Sequence, residues 1–372
     1  VACFARVRIA LICEDHGQKG ACRTAAAPSD RPPFGRRLNE SNLSFALPVN
    51  TPPLLVNFPS LDFLLKALAE ETREIHADEI RFLIERQLPP AVSTRVIATL
   101  FGFSPLFLSA IARRPDRYYR QFEIRSGAKL RQIQSPKVAL KLIQRWIGGN
   151  LATSLTYPDC VYGFVPGRSH IEAAAKHCGA DWVYSADVKD FFQSTSFDAV
   201  QRALTEVGYQ PKAAQLVATY SCFKGFLAQG APSSPVLSNL VFLPYDRQLL
   251  EYAVQCDITY TRYADDVVLS GRGQPPEDLK AFIHQTIEAG GWVLSERKEK
   301  LSVKPHRLKV HGLLVDGDSP RLTKGYRHRI RALTHLLEKG SVSPETMSKV
   351  LGHINYAKLV AEKGRDEGQG GD

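Results

Sequence analysis

No Cys-x-x-Cys pair occurs in this chain, whose seven cysteines (Cys3, Cys13, Cys22, Cys160, Cys178, Cys222 and Cys256) are scattered. A zinc site is therefore not expected, and the odd, dispersed set fits a reducing cytoplasm. No apolar run reaches the ~20 residues that span a bilayer, so no membrane partner is expected. The opening Val1–Ile12 is broken by Arg6 and Arg8, which spoils a signal-peptide core. Internal repeats are absent. Acidic side chains are in deficit: 38 Asp and Glu stand against 48 Lys and Arg, for a net charge of +10. A chain this basic favours a polyanionic partner.

The basic residues cluster. Arg113, Arg114, Arg117, Arg120, Arg125, Lys129, Arg131, Lys137, Lys141 and Arg145 face only Asp116 and Glu123 as counter-charges, with Tyr118, Tyr119, Phe122 and Trp146 among them. Cations beside flat side chains suit a phosphate backbone with stackable bases, although a solvated face has the same composition. A second basic stretch runs from Arg297 to Arg331.

Residues 1–55 carry no hydrophobic period and read as a weakly structured arm. Residues 56–112 read as helices: Ser60 can cap a helix bearing Leu61, Leu64, Leu65 and Leu68, and Pro89-Pro90 closes the segment Ala77–Gln87. Further helices are predicted over Arg95–Phe101 and Ser104–Ala112. Gln121–Arg125 and Leu130–Gln134 read as strands around Ser126-Gly127, Asp181–Asp187 as a buried strand, and Ile258–Tyr263 with Val267–Ser270 as a hairpin. Helices are predicted over Lys137–Ile147, Phe197–Val207, Pro211–Phe223, Pro235–Gln255 and Glu277–Ala289, a strand over Leu308–Val315, and helices over Tyr326–Lys339 and Ser343–Lys363. Strands alternating with helices, flanked by helical segments, predict an α+β fold with a split βαβ sheet.

Asp265 and Asp266 are adjacent carboxylates at a tight turn between apolar strands. Aspartates are common in turns, but two beside a buried strand repel each other unless a cation neutralises them. Asp187 ends the run Trp182-Val183-Tyr184-Ser185-Ala186. Alone it reads as a strand-end or capping residue; with its strand beside the hairpin, three carboxylates converge. Such a set suits two Mg²⁺ ions, with Mn²⁺ as a substitute, that activate a 3′-hydroxyl and stabilise leaving pyrophosphate.

Tyr263-Ala264-Asp265-Asp266 resembles the Y-x-D-D motif of reverse transcriptases. Asp187–Phe192 (DVKDFF) resembles their first catalytic motif, Gln229–Asn239 (QGAPSSPVLSN) the glycine-containing motif after it, and Tyr162–Ser169 (YGFVPGRS) the motif just before it. The four occur in the family's order, and the resemblance covers roughly residues 105–360. It implies a right-hand polymerase with fingers, split-βαβ palm and helical thumb: fingers and palm over 113–305, then a primer-grip strand, thumb and short flexible tail over 306–372. It implies that Asp187, Asp265 and Asp266 hold metals and that Lys298 protonates the leaving pyrophosphate. Phe192 matches the steric gate against a ribose 2′-OH, though either it or Phe191 could face the core instead. Gln229 and Gly230 would line the nascent pair. Lys129, Arg131 and Arg168 would hold the dNTP triphosphate, and Arg113, Arg114, Arg120, Arg327 and Arg331 nucleic-acid phosphates.

The compact length resembles the retron enzymes, as do the phrases at Arg262–Ser270 and Gly352–Tyr356. Their Asn-Ala-x-x-His signature is here Ala173-Ala174-Ala175-Lys176-His177, their Val-Thr-Gly is Val310-His311-Gly312, and the commoner Asn near Leu294-Ser295 is absent. Retron resemblance implies a structured non-coding RNA partner, a 2′-OH primer, a DNA product joined to RNA, and phage defence with an effector protein encoded nearby. The alternatives are an intron-derived or CRISPR-associated reverse transcriptase, a non-catalytic RNA-binding scaffold, and a palm-type nucleotide cyclase. The intact carboxylates argue against the scaffold; the Gln229–Asn239 segment and basic thumb argue against the cyclase.

Overall fold

The computed structural model describes Phe58 and residues 60–126 and 129–366. The expected arm over 1–55, Gly127, the Lys129 side chain and residues 367–372 lie outside the described residues.

The described part opens with helices α1 (Leu61–Ala67), α2 (Glu70–Glu85), α3 (Thr94–Phe101) and α4 (Pro105–Arg113). Local chemistry sets their ends. The Ser60 and Ser93 hydroxyls accept from the backbone N–H groups of Phe63 and Val96, Gly102 closes α3 in the left-handed region, and Pro105 opens α4. Strands β1 (Tyr119–Ser126) and β2 (Lys129–Pro136) form an antiparallel ribbon that turns between Ser126 and Lys129. Helix α5 (Val138–Ser154) runs seven residues beyond the predicted Ile147, because its second half is buried and tertiary packing outweighs the cost of Gly148 and Gly149.

Next come α6 (His170–Ala175), β3 (Trp182–Asp187), α7 (Phe191–Ser194), α8 (Phe197–Glu206) and α9 (Pro211–Ser221). A short ribbon, β4 (Cys222–Phe223) and β5 (Phe226–Leu227), leads to the long α10 (Ser234–Gln255). Then follow β6 (Thr259–Tyr263), β7 (Asp266–Gly271), α11 (Leu279–Ala289) and β8 (Lys300–Val303). Four of these strands pair in the order β6-β7-β3-β8, all antiparallel. Strand β7 lies between β3 and β6, and β3 between β7 and β8, so the sheet is a doubled split-βαβ arrangement.

The two faces of this sheet enter different cores, as period-two alternation requires. Trp182, Tyr184 and Ala186 pack with Leu240, Phe242 and Ile283 of the helical layer and with Trp292, which follows α11. Val183 and Val268 point the other way, toward Ile171, Ala174, Leu308, Val310, Leu313 and Val360.

The segment predicted as one strand over Leu308–Val315 is instead a hairpin of β9 (Lys309–Val310) and β10 (Leu313–Leu314), extended by β11 (Arg321–Leu322). His311 and Gly312 both take positive φ, 49° and 84°, which reverses the chain in two residues. Buried aliphatic residues continue on both sides of the turn, so hydrophobicity alone does not reveal it. Helices α12 (Lys324–Glu338) and α13 (Pro344–Asp366) close the described chain, and Thr323 caps the former. Helix α13 packs back on α6: the Tyr356 hydroxyl lies 3.0 Å from His170 Nε2, and Lys363 pairs with Glu172. Among the described residues no helix is long and apolar enough to cross a membrane.

Candidate active site

Asp187 ends β3 and lies directly opposite Asp266, the first residue of β7. The loop between β6 and β7 is Ala264-Asp265 alone, flanked by the pair Tyr263↔Asp266. So short a loop demands an unusual backbone: Ala264 has φ 57°, a conformation worth about 1–3 kcal/mol of strain outside glycine. The neighbouring chain over-determines it. A Cβ on Gly163 would stand 2.0 Å from the Ala264 nitrogen, so only glycine permits this segment to pass beneath the turn. The same segment is stitched to β6, with the Arg262 N–H donating to the Cys160 carbonyl and the Tyr162 N–H to the Arg262 carbonyl, both at 2.8 Å. The Val188 N–H donates to the Asp265 carbonyl and the Ser295 N–H to that of Asp187, also at 2.8 Å, which locks strand end to turn.

Burial pushes the Asp187 carboxyl up to about 6, reinforced by Asp265 and Asp266 and opposed by the Lys298 ammonium that pairs with it. Burial also raises Asp265, again with Asp266 adding to the effect, while a hydrogen bond with Asp187 opposes it. Carboxylates crowded enough to raise Asp187 and Asp265 in this way call for positive charge. Lys298 supplies it in this structure, and among the described residues no three His, Cys, Asp or Glu side chains are gathered tightly enough to hold a metal as they stand. The donor set is nonetheless all carboxylate oxygen, the chemistry that suits Mg²⁺ or Mn²⁺.

The adjacent phenylalanines part company. Phe191 is buried against Phe242 and Trp292, at ring distances of 5.9 and 6.1 Å. Phe192 is half-buried, its ring 5.9 Å from that of exposed Phe164. Of the pair, therefore, Phe192 has the open face. Gln229 and Gly230 abut the β1–β2 ribbon: the Gln134 N–H donates to the Gln229 carbonyl at 2.8 Å, and the Gln229 N–H to Gln134 Oε1 at 2.9 Å. A Cβ on Gly230 (φ 116°) would lie 2.9 Å from Ile133 Cγ2. Its glycine thus serves a close approach to the ribbon. Arg131 is exposed on the ribbon face that also carries Phe122 and Ile124.

Arg168 departs from expectation. Its guanidinium donates to the carbonyls of Pro158 (2.5 Å), Val161 (2.7 Å) and Tyr157 (3.3 Å) and pairs with Asp159 at 3.1 Å. Those bonds commit its fork to the loop over 157–161, so Arg168 staples the approach to Gly163 instead of offering a free cation to a triphosphate. Arg113, Arg114, Arg120, Arg327 and Arg331 are all exposed. In α12 the basic side chains occupy the exposed side, while Tyr326, Ile330, Leu333 and Leu337 form its half-buried stripe.

Sequence reasoning gave no site role to four groups around the carboxylates. Gly163 lay inside a recognised motif, but its contact is with a residue a hundred positions away. His311 Nδ1 lies 3.5 Å from Asp266 Oδ2, and its ring sits 5.4 Å from that of Tyr263. His177 is buried, bonded at 2.7 Å to both Ser270 Oγ and Thr261 Oγ1, so it ties the chain after α6 to both strands of the hairpin. Arg262 is fully buried within β6. A cation inside an otherwise buried strand was the available signal for it.

Residues 125–315 match the family model described as reverse transcriptase (RNA-dependent DNA polymerase). The chain belongs to that family and is an RNA-directed DNA polymerase. Within the family its relatives include retron enzymes. It is 31% identical over 237 residues to the retron Ec86 reverse transcriptase of Escherichia coli, across 63% of this chain and 73% of that one. It is 32% identical over 255 residues to the retron Mx162 reverse transcriptase of Myxococcus xanthus, across 59% of this chain and 52% of that one. With the retron Mx65 reverse transcriptase of the same organism it shares 32% over 269 residues, across 67% and 62% respectively. These likenesses make it a reverse transcriptase of retron type.

Proposed function

We propose that this polymerase acts in the cytoplasm on part of a bound, structured non-coding RNA, starting from a 2′-OH of that RNA. The resulting single-stranded DNA remains joined to RNA, and the complex serves in phage defence with an effector encoded nearby. The observation that carries the catalytic part is the register of Asp187 directly opposite Asp266, with Asp265 in the turn between β6 and β7.

In this reading Asp187, Asp265 and Asp266 hold two divalent ions, Mg²⁺ or Mn²⁺, which when bound activate a 3′-hydroxyl and stabilise the leaving oxygen. Lys298, which pairs with Asp187 in this structure, would donate a proton to departing pyrophosphate. The open face of Phe192 crowds a ribose 2′-OH and favours dNTPs. Gln229 and Gly230 line the nascent pair, and Lys129 and Arg131 receive the triphosphate. Arg113, Arg114 and Arg120, with Arg327 and Arg331 on α12, contact nucleic-acid phosphates.

Asp265→Asn and Asp266→Asn should each abolish primer extension and leave RNA retention on filters nearly unchanged. Wild-type extension by either variant would sink the metal assignment. For the retron part, nucleic acid co-purified with the protein and treated with RNase should run on a denaturing gel as DNA of one size. Its absence, with no inverted repeats upstream of the gene, would favour an intron-derived or CRISPR-associated role.

A further inference from the structure

Arg262 is fully buried in β6, one residue before the carboxylate motif. Four hydrogen bonds hold its guanidinium. Nε and Nη2 donate to Asp246 Oδ1 and Oδ2 at 2.7 and 2.6 Å, and Nη1 donates to Asn239 Oδ1 at 2.9 Å and to the Ala264 carbonyl at 3.0 Å. Phe242 lies face-on to the guanidinium, 4.4 Å from ring centroid to Cζ. Asp246 also accepts from the Tyr260 hydroxyl at 2.7 Å. Asn239 faces both ways, accepting from Arg262 and donating from Nδ2 to the Gly163 carbonyl at 2.8 Å.

The anchoring partners, Asp246, Asn239 and Phe242, all stand on α10, while the groups held are the two backbones that press together under the turn, Gly163 and Ala264. A buried ion pair alone is a weak source of stability, and apolar residues of equal volume often replace one without loss. Apolar residues could not hold the Ala264 carbonyl, and Ala264 is the residue kept at positive φ so that Asp265 faces Asp187.

We infer that Arg262, fixed by Asp246 and Asn239, is a positioning residue that sets the Asp265–Asp266 turn against Asp187 and thereby tunes how well the three carboxylates take up divalent cations. The inference rests on reading those carboxylates as the metal site. Asn239→Ala tests it most cleanly, because it removes the link to Gly163 and one guanidinium bond yet leaves the Arg262–Asp246 pair intact. Arg262→Lys keeps the charge beside Asp246 but cannot span all three acceptors.

The measurements, all on the full chain, are Mn²⁺ binding by electron paramagnetic resonance without nucleotide, the Mg²⁺ dependence of primer extension, kcat and KM for dNTP, and Tm. Both variants should bind Mn²⁺ about 10-fold more weakly and lose about 10- to 100-fold in kcat, the scale on which a catalytic constellation responds to small misplacement, with KM for dNTP changed less than about 3-fold. Variants that melt earlier but bind Mn²⁺ and extend primers like the wild type would reduce Arg262 to a structural ion pair and overturn the inference. Should Arg262→Lys fail to fold, Asn239→Ala decides alone. Asp265→Asn run alongside separates the two levels: if it stays active, the metal-site reading falls; if it is dead while Asn239→Ala is wild-type, only the positioning role falls.

Discussion

Acid should destabilise this protein through one imidazole. His177 is 1% exposed, and burial, helped slightly by His311, lowers its pKa to about 3. In the unfolded chain it titrates at about 6.5. A group with a depressed folded pKa contributes stability that is complete above the unfolded value and is lost as pH falls toward the folded one. The window is therefore roughly pH 6.5 to 3, and the full contribution is about 5 kcal/mol. Between pH 7 and pH 5 the expected loss from His177 alone is about 2 kcal/mol. Asp187 works in the opposite sense: its carboxyl is raised to about 6, so its contribution grows as pH falls from about 6 to 3.8. Comparing wild type with His177→Gln removes that and every other shared titration. Glutamine is neutral throughout and can still bond Thr261 or Ser270. Urea unfolding at pH 7 and pH 5 should show the wild type losing about 2 kcal/mol more than the variant across that interval. Equal pH dependence in the two proteins would refute the argument and mean that His177 is not held neutral.

Two further outcomes test the site and its surface. Phe192→Val should lower the dNTP-over-rNTP ratio of kcat/KM in primer extension, because Phe191 is committed to the core and only Phe192 has an open face; an unchanged ratio would place the gate elsewhere. Replacing Arg327, Arg329 and Arg331 together should flatten the log–log salt dependence of RNA affinity by about two to three units if all three touch phosphates, at ~0.7–0.9 per contact, and a wild-type slope would shift the RNA surface to the Arg113–Arg145 stretch.

Signals that act over a few residues are legible in the sequence itself. The serine cap at Ser60, the proline opening α9 and the turn at Ala264-Asp265 are local stereochemistry, and the corresponding elements stand within a residue or two of where they are predicted. The motif order likewise leads to the family to which the chain belongs. Where prediction fails, the deciding partner is distant. Leu308–Val315 reads as a strand until His311 and Gly312 adopt positive φ, and the partner of β10 on its other side is β11.

The same division runs through the site. Three aspartates at a strand end and a turn announce themselves by type and spacing, because carboxylates in such places need a cation. Arg168 reads as a free cation, yet carbonyls of the loop over 157–161 consume its fork. Phe191 and Phe192 are indistinguishable in sequence; Trp292 and Phe242 decide which is core. Arg262 depends on Asp246 and Asn239, brought beneath the turn by a helix that crosses the sheet. Residue type states what a side chain can do; the burial and the donors or acceptors that decide which of those things it does are assembled only when elements far apart along the chain pack together.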